Sequence, residues 1–273
     1  MDVAEHIASI SGEGELLART AERIPLDTQV PTCPGWRMRD LLAHLGYVHR
    51  WAAGYVAEAR TERAPRHGEE ELLRLAPGDD VLIGWFREGH ARLVSVLAAA
   101  DPAVRCWTFL AAPSPLAFWA RRQAHETAIH RVDAQLAAAL VRDEELRPFD
   151  PRFAADGIDE LLMGFGRRGR RRAADGRPGA LWLRAADGDR TGDGAGSGWA
   201  VRLGAEQTEI SRIGVPAVAG AAGEPAGRYC EVSGPGSDLY LMLWNRQPPG
   251  ALSVRGDPAL LEAWRGELRV RWS

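Results

Sequence analysis

The sequence predicts an α+β protein in which an up-and-down four-helix bundle is followed by a small α+β domain. Residues 1–146 contain four long segments whose apolar residues recur at helical spacing. Beyond residue 151 the pattern changes to short strand-like pieces that glycine and aspartate separate. At 273 residues the chain is long enough to bury two cores. We therefore predict two domains, residues 1–146 and residues 151–273.

The first two predicted helices are residues 2–24 and about 37–60. Pro25 ends the first, because proline lacks the amide hydrogen that a helix interior needs. The segment from Pro31 to Gly35 cannot be helical throughout, so the second helix begins after Trp36. Its apolar stripe is formed by Met38, Leu41, Leu42, Leu45, Val48 and Trp51.

The third and fourth predicted helices are residues 79–100 and 114–141. Asp79 or Asp80 is the expected N-cap of the third. The fourth is SPLAFWARRQAHETAIHRVDAQLAAALV, which has neither glycine nor proline after Pro115. Four amphipathic helices joined by moderate loops are typical of a bundle, and bundles build metal sites from side chains on facing helices.

The second half is predicted as a linker followed by a small sheet with helices. RPFDPRF (147–153) is interpreted as the linker, and Ile158–Phe165 as a short helix. A helix over 235–246 and another over 258–265 are expected to pack on the sheet. The predicted strands are Ala180–Arg184, Gly198–Leu203, Thr208–Arg212, Arg228–Val232, Leu252–Arg255 and Leu268–Trp272.

Composition excludes several classes of function. The net charge of −3 gives no global attraction to nucleic acid or to an anionic membrane, and the basic run GRRGRRR (166–172) is interpreted as a solvated face. The chain has no lysine, which excludes Schiff-base chemistry on its own side chains. Its three cysteines form no CxxC motif, and a reducing cytoplasm fits them best. Neither a signal peptide nor a membrane span is predicted.

A metal site is the strongest functional signal in the residues themselves. All seven histidines lie within the first 130 residues, so an imidazole site belongs to the predicted bundle. Glu126 and His130 stand four residues apart and project from one helix face, where they can bind one divalent ion. His44 shares the apolar stripe of the second helix and is the third candidate, whereas His49 and His125 require a rotated helix. A surface helix pair and a hydrogen-bonded core histidine are the alternative interpretations.

Two segments in this order and spacing, PTCPGWRMRDLLAHLG and HETAIHRVDA, resemble the mycothiol-dependent maleylpyruvate isomerase family. Members resemble DinB-like four-helix metalloenzymes and carry a C-terminal domain similar to sterol carrier protein folds. The resemblance implies that His44, Glu126 and His130 bind Zn²⁺ or another divalent metal and act in catalysis through it.

The resemblance also implies the chemistry. Mycothiol, as cosubstrate, would occupy the open coordination position as a thiolate and add to an electrophilic small molecule. The outcome would be S-transfer or cis–trans isomerisation, by a monomer or a homodimer in the cytoplasm. Two alternatives remain open: a hydrolase that uses metal-activated water, and a non-catalytic module that binds a small molecule or a thiol.

Several neighbouring residues carry secondary predictions. Asp40 and Asp133 are candidates for orienting the ligand imidazoles, and surface carboxylates are the alternative. Arg131 is a candidate contact for the thiol or the substrate. Cys33 is interpreted as an inert packed thiol. Trp107 and Phe109 are assigned to a pocket rim. Four other tryptophans are assigned to the bundle core: Trp36, Trp51, Trp85 and Trp119.

Overall fold

The computed structural model describes residues 1–63, 75–166, 177–187, 196–204, 208–214 and 227–267. It divides into two compact units, with the boundary between Arg147 and Pro148. The predicted α+β class with an N-terminal helical bundle is confirmed. The predicted terminal strand Leu268–Trp272 and residues 167–172 of the basic run lie outside the described residues.

Four long helices are described in the first unit: α1 (Val3–Ala21), α2 (Met38–Ala57), α3 (Asp79–Ala99) and α4 (Pro115–Ala138). Local chemistry sets where they begin. The Asp2 carboxylate accepts the Glu5 amide at the start of α1, and the Ser114 hydroxyl accepts the Ala117 amide at the start of α4. The N-cap of α3 is Gly78 instead of the predicted Asp79 or Asp80, which lie in the first turn.

Helix α4 runs parallel to α1 and antiparallel to α2. His6 lies beside His125, and further along both helices Glu13 bonds to Arg131, so the residue numbers rise together. On α2 the order is reversed, because His44 faces Glu126 whereas Trp51 packs on Trp119. The metal-site candidates therefore meet at an antiparallel helix pair.

Helix α3 runs parallel to α2. Arg39 pairs with Asp79 near the start of both helices, and Arg50 bonds to the Trp85 carbonyl further along both helices. The four helices consequently run up, down, down and up along the chain, whereas the sequence suggested simple alternation. A parallel pair needs a connection that returns along the bundle, and residues 58–78 are long enough to do so.

Close helix packing depends on glycine at defined positions. A Cβ at Gly14 would collide with the imidazole of His90, which is buried and bonds to the Ile10 carbonyl over 2.9 Å. A Cβ at Gly12, two residues earlier on α1, would meet nothing within 4 Å. Of these two positions on α1, only Gly14 must lack a side chain for α1 and α3 to pack as they do.

Gly14→Ala is expected to destabilise the first unit by about 1–3 kcal/mol, because overpacking displaces a ring that has little room to move. Gly12→Ala is the matched control. It should be neutral or raise stability by up to about 1 kcal/mol, since alanine favours helix more than glycine does. Urea unfolding followed by circular dichroism measures both. Equal effects of the two substitutions would contradict this packing.

The second unit begins with a helix where the sequence suggested a linker. Helix α5 (Pro151–Asp159) continues as a π-helical turn over Glu160–Phe165. The Asp150 carboxylate accepts the amides of Arg152 and Phe153, and proline suits the first helical position. The prediction that 147–153 is entirely linker is thus wrong. Aspartate and proline are common in loops, and here they mark the start of a helix instead.

A five-stranded sheet forms the rest of this unit together with helices α6 (Gly236–Leu243) and α7 (Pro258–Glu267). The strand order is β3-β2-β1-β4-β5, in which β1 and β4 are parallel and the other neighbours antiparallel. The five predicted strands that fall on described residues match these strands to within two residues. The bounds of β1 to β5, in order, are Gly179–Ala185, Ser197–Leu203, Thr208–Ile213, Tyr229–Gly234 and Ser253–Gly256.

None of the helices within the described ranges combines the length and the apolarity that crossing a bilayer requires.

Candidate metal centre

Three buried side chains converge between α2 and α4. The Nε2 atom of His44 lies 3.5 Å from Glu126 Oε1, and Nε2 of His130 lies 3.2 Å from the same oxygen. One ligand atom from each residue falls within 4.8 Å of the other two. The three residues are only 2 %, 2 % and 5 % exposed. The structure thus brings together the three residues that the sequence singled out.

Helix geometry accounts for this convergence. Glu126 and His130 stand one turn apart on α4, so their side chains project from the same face. His44 projects from α2 across the antiparallel contact. Both helices are anchored by buried apolar residues on either side of the cluster, which fixes the helix positions from which the three side chains project.

The separations suit a small divalent cation. Ligand atoms of a tetrahedral site with bonds of about 2.0–2.1 Å lie about 3.3–3.4 Å apart. The two measured separations, 3.5 and 3.2 Å, bracket that value. Two imidazoles and one carboxylate are also a donor set that catalytic zinc sites use, with a further position left for a ligand. In donor type and in these two separations, the three residues therefore fit one divalent ion.

Arg122 orients the Glu126 carboxylate. Its Nη2 atom donates to Glu126 Oε2 over 2.9 Å, so Oε1 is directed at the two histidines. Burial alone would raise the pKa of Glu126. Hydrogen bonds from His130 and His44, together with the charges of His130 and Arg122, outweigh it and hold the pKa well below its usual range. The carboxylate is therefore available as an anionic ligand.

Asp133 orients His130. The Nδ1 atom of His130 lies 2.8 Å from Asp133 Oδ2, which places the Nδ1 proton on that bond and leaves Nε2 facing the cluster. The Thr32 hydroxyl donates to Asp133 Oδ1 over 2.5 Å, and the Cys33 thiol lies 3.5 Å from Oδ2. Cys33 is half-buried and belongs to this network, whereas the sequence suggested an inert packed thiol.

The same carboxylate controls the protonation of His130. Burial would lower the pKa of this imidazole, but its hydrogen bonds to Asp133 and Glu126 and the charges of both carboxylates raise the pKa to about 9. Without a cation, His130 is therefore charged at neutral pH and lies between two carboxylates. A bound cation takes over that positive charge.

Trp36 covers the cluster from the loop before α2. Its ring lies 4.8 Å from the His44 ring and 6.1 Å from the His130 ring, nearly parallel to the latter. Trp36 is half-buried and packs against the hydrophobic core of the bundle, and Trp51 and Trp85 are half-buried as well. Trp119 is fully buried as predicted, and Trp107 and Phe109 pack against it.

Two further predictions for individual residues are corrected. Asp40 does not reach across to orient His44: its carboxylate accepts the Arg37 amide over 2.8 Å and caps the first turn of α2. Arg131 is fully buried and bonds to Glu13, Gln135 and the Arg147 carbonyl, which ties α4 to α1. It is thus a scaffold residue on another face of α4 from the cluster.

The two alternative histidines have other environments. His49 Nε2 lies 2.9 Å from the Thr127 hydroxyl, which itself donates to the Gln123 carbonyl, so His49 is the donor. Burial, followed by the charge of His90, lowers the pKa of His49 well below its usual range, which keeps the ring neutral. His125 is fully buried with its ring 6.0 Å from that of His6. Neither belongs to the cluster of His44, Glu126 and His130.

Asp133→Asn is expected to weaken divalent metal binding by about 10–100-fold, because His130 loses the partner that fixes its ring orientation and tautomer. Competition with a chromophoric chelator measures the affinity above pH 9, where His130 is neutral in both proteins and the lowered pKa of His130 in the variant does not offset the loss. Thr32→Val is the graded control, since it removes one bond to Asp133 and leaves the carboxylate in place, and it should have a smaller effect. Wild-type affinity in Asp133→Asn would contradict the assigned role.

Comparison with known proteins agrees with the sequence resemblance. Residues 9–135 match the mycothiol maleylpyruvate isomerase N-terminal domain, and residues 152–263 match the C-terminal domain of the same family. Two solved structures, of the mycothiol-dependent maleylpyruvate isomerase and of a point mutant of it, share the fold at TM-scores of 0.58 and 0.59. Identity is 13 % and 14 %, and each comparison covers 93 % of both chains. No curated protein matches the chain. Because the two domain matches together span most of its length, the chain belongs to the mycothiol maleylpyruvate isomerase family.

Proposed function

We propose that this protein is a divalent-metal enzyme, with zinc as the expected ion, that uses mycothiol to isomerise an electrophilic small molecule of the maleylpyruvate type. The observation that carries the proposal is the buried convergence of His44, Glu126 and His130 at separations that suit one cation. Family membership supplies the thiol and the substrate class. S-transfer to a related electrophile uses the same first step.

An ion held by these three residues would lower the pKa of a coordinating thiol and hold its sulfur in place. The protein's own groups prepare the site for it. Asp133 holds the Nδ1 proton of His130, so the proton that leaves on metal binding is the one on Nε2, and the Nε2 lone pair would then face the ion. Arg122 holds one oxygen of Glu126 and directs the other inward. Trp36 shields the two imidazoles from water on one side.

The reaction needs no nucleophile from the protein. The thiolate sulfur adds to one carbon of the cis double bond, and the electron pair moves to the conjugated carbonyl. The former double bond is then single and rotates. Return of the electron pair expels the thiolate and leaves the trans isomer, so no atom is gained or lost. The protein must only supply the thiolate and hold the substrate's carbonyl and carboxylate ends.

The test is turnover of maleylpyruvate by purified protein reconstituted with Zn²⁺, with and without mycothiol, followed by the absorbance change on isomerisation. The proposal expects turnover that requires both metal and mycothiol. Metal-dependent hydrolysis that ignores mycothiol would support the hydrolase alternative. Tight mycothiol binding without turnover of maleylpyruvate or of other electrophiles would support a binding module. Either result would contradict the proposal.

A further inference from the structure

One buried glutamine on α4 lacks hydrogen-bond partners within the part of the chain that the structure describes. Gln123 is 0 % exposed, and none of the described residues bonds to its Oε1 or its Nε2 atom. Buried polar groups in folded proteins are nearly always hydrogen-bonded, because an unsatisfied one costs its full desolvation free energy. A methionine of similar volume would occupy this position without that cost. The carboxamide therefore calls for a partner that is not part of the fold.

Gln123 lies next to the candidate metal centre. It stands three residues before Glu126 and seven before His130, so the three side chains project from the same side of α4. The Cβ atoms of residues three apart on a helix are about 5–6 Å from each other. Long helical side chains lean towards the N-terminus of their helix, and Glu126 does so where it bonds to Arg122. A molecule that enters the centre from this side would meet the carboxamide.

The polar groups around Gln123 are engaged elsewhere or neutral. The Thr127 hydroxyl donates to the main-chain carbonyl of Gln123 over 2.7 Å, and it lies 2.9 Å from His49 Nε2. Burial, followed by the charge of His90, lowers the pKa of His49 well below its usual range, so this ring carries no charge at neutral pH. The carboxamide is therefore a neutral hydrogen-bond donor in surroundings of low dielectric.

The proposed reaction requires a donor of this kind. Addition of the thiolate moves an electron pair onto the carbonyl oxygen of the electrophile, and the pair returns when the thiolate leaves. A donor that is already in position stabilises this oxygen while it carries the charge, and burial strengthens the bond. Because the donor is neutral, it binds the uncharged carbonyl less strongly than the charged oxygen. It therefore favours the transition state over the bound substrate.

We infer that Gln123 is a catalytic residue whose Nε2 atom donates a hydrogen bond to the carbonyl oxygen of the electrophile and to the enolate oxygen formed from it. The inference rests on the proposed function and adds to it the group that stabilises the developing charge. It also predicts that stability and activity respond in opposite directions. Removal of the carboxamide should leave the fold equally or more stable and should slow the reaction.

The experiment compares Gln123→Met and Gln123→Leu, which remove both hydrogen-bonding atoms and keep a side chain of similar size. Gln135→Met is the matched control, because Gln135 is also a buried glutamine of α4 but has partners within the fold. Its Oε1 atom accepts from Arg131 over 2.7 Å, and its Nε2 atom donates to the Glu145 carbonyl over 3.1 Å.

The full chain is used throughout. The urea unfolding midpoint is measured on the metal-free protein. Metal per chain, mycothiol affinity, and kcat and KM for maleylpyruvate are measured after reconstitution with Zn²⁺.

Both Gln123 variants are expected to retain the wild-type metal content, with mycothiol affinity and KM within about twofold of wild type. Their urea midpoints should equal or exceed that of the wild-type protein. Their kcat should fall by about 100–1,000-fold, as expected when one donor to a developing oxyanion is lost. Gln135→Met should show the reverse pattern, with a lower midpoint and a kcat within about twofold of wild type.

A wild-type kcat in both Gln123 variants would overturn the inference and leave the proposed function intact. Midpoints lowered as far as in Gln135→Met, or loss of folding in both variants, would assign the carboxamide to the scaffold and overturn the inference as well. Wild-type protein without turnover that requires metal and mycothiol would overturn the proposed function and, with it, the role of Gln123.

Discussion

His44→Ala is expected to abolish metal retention and thiol-dependent turnover while the four-helix bundle stays folded. His44 is the proposed ligand from α2, and the other two proposed ligands lie on α4. Its loss leaves one imidazole and one carboxylate, a pair that holds zinc weakly. Because loss of a residue that merely orients a ligand costs about 10–100-fold in metal affinity, loss of the ligand itself should cost more than about 100-fold. Metal per chain after dialysis against a mild chelator measures retention.

His49→Ala is the matched control for this prediction. His49 is also a buried histidine and lies on the same helix as His44, but it bonds to Thr127 and belongs to none of the metal-capable groups found among the described residues. This variant should keep the metal content of the wild-type protein, with whatever stability loss follows from a cavity in the core. Wild-type stoichiometry in His44→Ala, or selective metal loss in His49→Ala, would show that the ligand set is wrong.

Metal binding is expected to release about one proton and to strengthen as the pH rises towards 9. In the metal-free protein the pKa of His130 is about 9, so the ring is charged at neutral pH and must lose its proton to become a ligand. Below that pKa, affinity should rise about tenfold per pH unit from this residue alone. Calorimetry at pH 7 in two buffers with different ionisation enthalpies measures the proton release.

The stability of the metal-free protein should depend on pH in the opposite direction to metal affinity: it should fall as the pH rises. A pKa raised from 6.5 to about 9 stabilises the fold fully below pH 6.5, and this contribution is lost as the pH rises through 9. Asp133→Asn should lower the pKa of His130 and so reduce the proton release at pH 7. Equal heats of binding in both buffers for the wild-type protein would contradict this description of His130.

The three residues that cluster could be chosen from sequence because each choice was local. Glu126 and His130 share a face by their spacing alone, and His44 was separated from His49 by the apolar stripe around it. The α+β class and the first three helices were predicted from periodicity for the same reason, since burial of one helix face leaves a regular pattern. Helix α4 is buried on nearly every side, so its prediction depended more on the long run without glycine or proline.

The partners of the ligands could not be identified in this way. Arg122 stands one turn before Glu126, and that i,i+4 spacing was available in the sequence as a signal. The positions of Trp36 and Thr32 depend on how the loop before α2 folds back on α4, which no local pattern encodes. For Asp40 and Arg131 the prediction was wrong for a different reason. Both lie close in sequence to a candidate ligand and were therefore expected to act at the site, but Asp40 caps α2 and Arg131 bonds to Glu13.

Helix directions were also beyond local patterns. The apolar pattern of a helix does not reveal which of its neighbours are parallel to it, so the up, down, down, up order could not be predicted. This order matters for the site, because it makes α2 and α4 antiparallel neighbours although they are not consecutive in the chain.

The most direct test of the metal centre is a crystal of zinc-loaded protein with diffraction recorded on both sides of the zinc absorption edge. The anomalous difference map is expected to show one strong peak per chain, bonded to Nε2 of His44, Oε1 of Glu126 and Nε2 of His130 at about 2.0–2.2 Å. A peak bound by other residues, or zinc-loaded crystals without a peak between α2 and α4, would contradict the account.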